Sequence, residues 1–444
     1  MALQAPKGTA DLLPADAQLL NIIIQAARRV FTTFGYQYLE TPAFEYTEVF
    51  VRGIGEATDV VGKEMFHVCS RHAITKLSDG EQLKSDERMA LRPEGTAGVA
   101  RAIVQHNLVS PGAPPAKLWY AGQMFRHERP QKGRLRQFHQ IGLECVGAKE
   151  PVADAEVIIA LMRFFAACGI PQDAMRLFVN SMGDENCRPI YRNVVRDYIN
   201  ANASGLCDEC RRRADTNPLR AFDCKNPSCV SVMQEAPKIS AYLCDDCNEH
   251  YSKVKGYLAN ADIDYVQEPR LVRGLDYYTR TVFEVQVDTG LGSQNAIGGG
   301  GRYDRLIEEF GGKPTSGLGF AVGVERIALV LEALGVKTAG LPSPDVFVAA
   351  APAPADYNSE VLKSVFACTL ALRDAGIIAE QDLQSRSLKS QFKLADKLGA
   401  RFCVVIGYDE VAAGKVRLRD LFTHEEQELL MTGLLDVITN KLAS

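Results

Sequence analysis

The chain has 444 residues, about three domains' worth at roughly 150 residues each. Hydrophobic residues at 46% and charged residues at 24% exclude a disordered, collagen-like or disulfide-scaffold protein. The net charge of −5, from 50 basic and 55 acidic residues, excludes a globally basic nucleic-acid binder, so any cationic surface must be local.

In chain order, residues 16–34 place Leu19, Ile23, Ala26, Ala27, Val30 and Phe34 at helical spacing, with Gly35 as the stop and Asp11 or Asp16 as candidate caps. Residues 36–42 read as a strand ended by proline. Leu91-Arg-Pro-Glu-Gly-Thr-Ala-Gly98 reads as a proline turn into a helix, with Glu94 and Thr96 as first-turn and capping residues. Residues 116–147 read as strand, charged loop, strand, and 148–169 as a helix with Ala153, Val157, Ala160 and Phe164 on one stripe. The composition then shifts. Residues 184–256 have few long apolar periods, and six of their cysteines stand in three pairs; the stretch reads as an insertion between two parts of one domain, 1–183 and 257–334. A helix is expected over 322–334, and 335–344 is the clearest linker. In 345–444, short apolar strands at 346–350, 377–380 and 402–406 alternate with helical patterns, which predicts a small α/β domain with a mainly parallel sheet. No run of about 18 apolar residues is present, so no membrane partner is expected. The N-terminus lacks a basic segment followed by an apolar one, and twelve cysteines in such a chain fit reduced thiols or metal ligands in a cytoplasmic setting.

Candidate chemistry concentrates in five patches. The first, Arg126-His-Glu-Arg-Pro-Gln-Lys-Gly-Arg-Leu-Arg136, carries five cations against one Glu. Alone, such a run reads as a solvated loop. In the strand after it, however, Gln140, Gly142 and Glu144 alternate with Ile141, Leu143 and Cys145. The side-chain-free Gly142 between two polar groups suggests a floor for a small polar ligand, with arginines at the strand end for phosphates. The other patches are 91–98, Leu271-Val-Arg-Gly-Leu-Asp-Tyr-Tyr278, the four-glycine run in Ala296-Ile-Gly-Gly-Gly-Gly-Arg-Tyr-Asp304, and Gly317-Leu-Gly-Phe-Ala-Val-Gly-Val-Glu-Arg-Ile327. Neither a dinucleotide glycine signature nor a Walker A loop is present, so any ATP must be held by arginines and glycines outside a P-loop.

Together these patches resemble the histidyl-tRNA synthetase family of class II aminoacyl-tRNA synthetases. Phe125-Arg-His-Glu-Arg-Pro130 with Arg136-Gln-Phe-His-Gln140 is similar to motif 2, 317–327 to motif 3, and Gly35-Tyr36 through Pro42 and Glu45 to motif 1. Residues 271–278 and Gly300-Gly-Arg-Tyr-Asp304 resemble the two histidine-specific motifs. The resemblance implies an α/β chain: an α+β catalytic domain on an antiparallel class II sheet, an inserted domain, and a small C-terminal α/β anticodon-binding domain. It implies a cytoplasmic homodimer that joins L-histidine to tRNA(His) with ATP and Mg²⁺. Arg126 and Arg273 become the catalytic cations, and Arg126, Glu128, Arg134 and Arg326 the ATP-binding set. Glu94, Gly95, Thr96, Gln140, Glu144, Tyr277 and Tyr278 would bind histidine together with Arg126 and Arg273, and Arg129, Gln131 and Arg136 would meet the tRNA acceptor end. A regulatory subunit of ATP phosphoribosyltransferase, which resembles the catalytic domain, is the alternative; the retained arginines and the tail domain argue against it.

The cysteines give a separate expectation. Cys207-Asp-Glu-Cys210 and Cys244-Asp-Asp-Cys247 are two C-x-x-C knuckles, and two such pairs complete a closed Cys₄ zinc site. The expected ligands are Cys207, Cys210, Cys244 and Cys247, with Cys224 and Cys229 as rivals for one pair. Unligated buried thiols and a redox pair are the other readings.

Overall fold

Helix Pro14–Thr33 opens on a proline, with Leu13 as N-cap and no side-chain cap, so neither Asp11 nor Asp16 fills that role. Proline suits this position because the first N–H groups of a helix have no intrahelical acceptor. Ile23, Ala26, Ala27 and Phe31 are buried. Gly35, at φ 82°, turns the chain into a strand of only two residues, Gln37–Tyr38, shorter than the 36–42 reading. The computed structural model describes residues 3–443 except 56–57, 111, 273–276, 293–294, 338–339 and 353–357. These fall into two units, Met1–Thr338 and Ala339–Ser444.

The first unit is built on an eight-stranded sheet in the order Gln37–Tyr38, Ala116–Phe125, Gln137–Val146, Gly317–Gly323, Ala296–Tyr303, Thr279–Val287, Met175–Ser181, Val266–Gln267. The six inner strands are antiparallel, and the two short outer strands pair in parallel. One face is covered by helices Pro14–Thr33, Pro151–Ala167 and Val324–Ala333, and there Ile141, Leu143 and Cys145 enter an apolar core with Phe31, Phe164, Phe165 and Phe320. The opposite face carries helix Thr96–Gln105 and the functional side chains. Residues 184–256 belong to the first unit, since Tyr191, Val195 and Ile199 share an apolar cluster with Val99, Ile103 and Leu118.

In the second unit, strands Ala379–Gln381, Val346–Ala350 and Phe402–Ile406 are parallel, and Lys415–Asp420 and Glu426–Leu430 extend the sheet antiparallel. Val346 and Val348 pack on one face while Phe347 and Ala349 pack on the other, so the central strand is apolar throughout. Among the described residues no helix is long and apolar enough to cross a membrane.

One motif residue has a role in the fold. Arg302, 1% exposed, lies between Asp154 of helix Pro151–Ala167 and Asp304. Its Nε donates to Asp154 Oδ1 at 3.1 Å and its Nη1 to the Ala148 carbonyl at 2.9 Å. Removing one partner strands the other charge in a low-dielectric interior, so Asp154→Ala is expected to destabilise the first unit by about 3–5 kcal/mol. Urea unfolding followed by intrinsic fluorescence checks this; an unchanged midpoint would contradict the pairing.

Candidate active site

Above the polar face of the sheet lies a cavity of about 420 Å³. Glu94, Thr96, Gln140, Glu144, Tyr277 and Tyr278 line it, and so do Arg126, Glu128, Arg134 and Arg326. The sequence-predicted histidine and ATP residues therefore share one space. Gly95 is the N-cap of helix Thr96–Gln105. Arg273 lies outside the described residues.

The deepest group is Glu144, 1% exposed. Thr96 Oγ1 donates to its Oε1 at 2.8 Å, and the Tyr303 hydroxyl donates to its Oε2 at 2.5 Å. Burial pushes the carboxyl up to about 8, against the opposing pull of those two hydrogen bonds. Directly across the ladder is Gly319, where a Cβ would come within 2.0 Å of Glu144 Oε2. Glu94 is buried too, and its two oxygens accept from the N–H groups of Thr96 and Ala97 at 2.8 Å each. Glu94 thus both satisfies the first N–H groups of helix Thr96–Gln105 and lines the cavity. Tyr277 packs on Tyr278 at 4.6 Å and on Tyr303 at 5.7 Å between ring centroids. Gln140 Oε1 is buried and has no hydrogen-bond partner among the described residues, which leaves an acceptor in the cavity wall.

The strand alternation places Gln140 and Glu144 in the cavity, but Gly142 is not a ligand floor. Tyr120, its direct partner on strand Ala116–Phe125, lays its ring over Gly142, where a Cβ would meet the ring at 2.1 Å. The same ring leaves no room for a side chain at Gly95, whose Cβ would lie 2.3 Å from it. Tyr120 thus fills the space that the missing side chain opens. Neither it nor Tyr303 was singled out from the sequence, since both act through cross-strand register.

Gln140 and Glu144 are about 13 Å apart along their strand, given its rise per residue. The cationic loop enters at the Gln137 end. Arg126 Nε donates to the Pro93 carbonyl at 2.9 Å, beside Glu94, and its guanidinium stacks over Phe138. Arg134 pairs with Glu128 at 3.0 Å. Arg326 donates to the carbonyls of Gly133 at 3.2 Å and Ala296 at 2.6 Å. Desolvation, then the neighbouring charge of Arg134, holds the Arg326 guanidinium below its ordinary range. Guanidinium groups do not give up a proton near neutral pH, so this end of the cavity stays cationic. Glu325 beside Arg326 accepts from the His139 backbone N–H at 2.8 Å and faces its Nδ1 at 2.8 Å. Arg129 and Gln131 are exposed on the loop, and Arg136 is tied back to the Glu128 carbonyl at 3.3 Å. None of these three lines the cavity.

The single Cys₄ site expected from the two knuckles does not form. Cys207 and Cys210 converge with Cys224 and Cys229, whereas Cys244 and Cys247 converge with Cys187 and Asp184; within each group all ligand atoms lie within 4.8 Å of one another. The physical reason is that the knuckles open different helices, Asp208–Thr216 and Asp245–Asn260. A tetrahedral zinc with Zn–S bonds of about 2.3 Å sets its sulfurs roughly 3.8 Å apart. Cys207 and Cys224 Sγ are 3.9 Å apart, far beyond disulfide distance, so the first group fits a closed Cys₄ site.

The catalytic-type unit is thus an antiparallel sheet flanked by helices, with a crowded arginine end and a buried carboxyl end in one cavity. The model of the histidyl-tRNA synthetase family matches residues 8–327, and an anticodon-binding domain model matches 353–441. The chain is 45% identical over 434 residues to a histidine–tRNA ligase of Anaeromyxobacter dehalogenans, covering 98% of this chain and 99% of that one. It is 41% identical over 442 residues to the histidine–tRNA ligase of Pelotomaculum thermopropionicum, covering 100% and 99%. Apo histidyl-tRNA synthetase from S. aureus superposes with TM-score 0.78 at 31% identity, covering 98% of this chain and 100% of that one. The chain belongs to the histidyl-tRNA synthetase family. A Bacillus halodurans structure described as an ATP phosphoribosyltransferase regulatory subunit/histidyl-tRNA synthetase shares the fold at TM-score 0.58 and 19% identity, covering 92% of this chain and 98% of that one.

The environment of Glu144 gives a pH signature. Unfolded, its carboxyl ionises near 4.5; folded, near 8. Between these values the unfolded chain holds fewer protons, so Glu144 costs stability that grows as pH rises. Relative to wild type, Glu144→Gln is expected to gain stability progressively between pH 4.5 and 8, by up to roughly 4–5 kcal/mol at about 1.4 kcal/mol per pH unit. Urea midpoints of both proteins across that range check it, and parallel curves would mean an ordinary carboxyl.

Proposed function

We propose that the cavity of this histidine–tRNA ligase takes L-histidine at its Glu144 end and ATP at its arginine end. The observation that carries this reading is the convergence of Arg126, Arg134 and Arg326 on a space that also holds Glu144, Gln140, Tyr277 and Tyr278. The histidine carboxylate attacks the α-phosphorus of ATP in line; a P–O bond to the acid forms, the bond to pyrophosphate breaks, and histidyl-adenylate remains. A terminal ribose hydroxyl of tRNA(His) then attacks the acyl carbon and releases AMP.

Arg126 stands between the two ends, close to both Glu94 and the other arginines, which suits a cation that bridges the acid and the α-phosphate. Arg134 and Arg326 take the distal phosphates, and Arg273 supplies a further cation as its sequence motif implies. Negative charge on the phosphate grows in the transition state, so fixed guanidiniums stabilise it more than the ground state. Mg²⁺ would arrive with the triphosphate and neutralise part of its charge; Glu128 and Glu284 are carboxylates on the cavity wall. At the other end, imidazole offers two ring nitrogens to Glu144 and a tyrosine hydroxyl. A side chain without those nitrogens would leave buried polar groups unpaired, which is strong discrimination. Glu94 and Thr96 suit the α-ammonium group.

Transfer RNA would meet the exposed Arg129 and Gln131, with Arg136, at the acceptor end. In the second unit, which we assign to the anticodon, Lys389, Lys393 and Lys397 are exposed at four-residue spacing on helix Leu388–Leu398 and suit phosphates. Exposed Tyr38, Phe44 and Tyr46, in and next to the motif 1 segment, support a homodimer contact there. Cys207, Cys210, Cys224 and Cys229 are proposed to hold a structural zinc that stiffens the insertion, and the site of action is proposed to be the cytoplasm.

Charging of unfractionated tRNA with each of the twenty labelled amino acids tests the reaction: histidine alone is expected to be accepted, and acceptance of another residue or of none would overturn it. Arg126→Ala is expected to lower ATP–pyrophosphate exchange by about 100- to 1,000-fold, the usual range for a donor aimed at transition-state charge. Exchange within twofold of wild type would remove Arg126 from that role.

A further inference from the structure

The second cysteine group lies against the sheet that forms the active site. Asp184 Oδ1 is 3.4 Å from Cys187 Sγ and 4.0 Å from Cys244 Sγ. A tetrahedral zinc with three thiolates and one carboxylate oxygen sets such S···O edges at roughly 3.5 Å. Cys187 and Cys247 are each 1% exposed.

The local build repeats that of the Cys₄ group. In both, the first knuckle cysteine, Cys207 or Cys244, is the N-cap of a helix, and the second, Cys210 or Cys247, is its third residue. In both, the backbone N–H of the first donates at 3.1 Å to the sulfur of a cysteine from elsewhere in the chain, Cys229 in one and Cys187 in the other. Helix N-termini and N–H···S bonds stabilise thiolates and orient ligands around a metal.

Three ties lead from this group to the active-site strands. Arg188, next to Cys187, donates from Nη1 to the Tyr278 carbonyl at 2.7 Å. Arg280 reaches Asp184 Oδ2 with Nη2 at 3.5 Å. His250, one turn beyond Cys247, is 3.4 Å from Arg280 Nη1 through Nδ1 and 3.3 Å from Asp154 Oδ1 through Nε2. Asp154 holds Arg302, two residues along the chain from Asp304 and adjacent to Tyr303, the donor to Glu144.

We propose that Asp184, Cys187, Cys244 and Cys247 form a second zinc site, separate from the Cys₄ site, and that its metal positions Tyr278 and the start of strand Thr279–Val287 in the histidine pocket. The positioning half rests on the assignment of histidine to that pocket; the metal half does not. Arg188 and Arg280 act here as positioning residues.

Zinc analysis of protein purified without chelator is expected to find two zincs per wild-type chain and one in Cys187→Ser or in Cys224→Ser. No zinc in wild type, a single wild-type zinc that survives in Cys187→Ser, or two retained in Cys187→Ser, overturns the second site. Cobalt replacement in the unmutated chain gives the same answer without a variant: thiolate-to-metal absorption should correspond to seven sulfur ligands on two ions, and absorption from four overturns it. Arg188→Gln keeps every ligand, so it should retain two metals while the KM for histidine in ATP–pyrophosphate exchange rises at least fivefold and that for ATP stays within twofold. Two metals with an unchanged histidine KM would overturn the positioning role alone. Absence of histidine-dependent exchange in wild type would instead strike the assignment of the pocket.

Discussion

A carboxyl group taken almost wholly out of water must be held by donors fixed in place, and Glu144 organises the active site on that account. Its oxygens are bound by Thr96 at the start of one helix and Tyr303 at the end of one strand, and Gly319 across the ladder makes room for it. Three chain segments distant in sequence from strand Gln137–Val146 are thereby fixed against it. The cost of the burial appears as a carboxyl pushed up to about 8.

The other end of the cavity stores the opposite problem. Arg126, Arg134 and Arg326 are close enough for Arg326 to feel the charge of the other two. Backbone carbonyls of Pro93, Gly133 and Ala296 hold Arg126 and Arg326 in position before any ligand arrives. Groups fixed in advance need no reorganisation when phosphate charge develops, which is the physical basis of the catalytic use proposed for them. The same constraint orders the back of the sheet, where Arg302 is satisfied by Asp154 and Asp304 and serves the fold.

Much of this was legible in the sequence wherever one element carries its own signal. The alternation in 137–146 placed Gln140 and Glu144 together, and the strands at 346–350 and 402–406 were readable as short apolar runs. What was not legible depends on register between strands. Gly142 read as open floor, yet Tyr120 from the neighbouring strand fills it. Tyr303 stood inside a recognised motif, but its bond to Glu144 follows only from the folded sheet. The knuckles were readable as ligand pairs, but their partners were not: Cys187 lies 57 residues before Cys244 and outside any C-x-x-C spacing, and Asp184 has no metal signature of its own.

We propose that one cavity separates recognition of the imidazole from recognition of the triphosphate, with Glu144 at the imidazole end. ATP–pyrophosphate exchange by Glu144→Gln, with histidine and ATP varied in turn, tests it most directly. The KM for histidine is predicted to rise at least tenfold, the loss of about 1.4 kcal/mol or more of binding, while that for ATP stays within twofold. Equal changes in both constants would contradict the account and place Glu144 away from the imidazole.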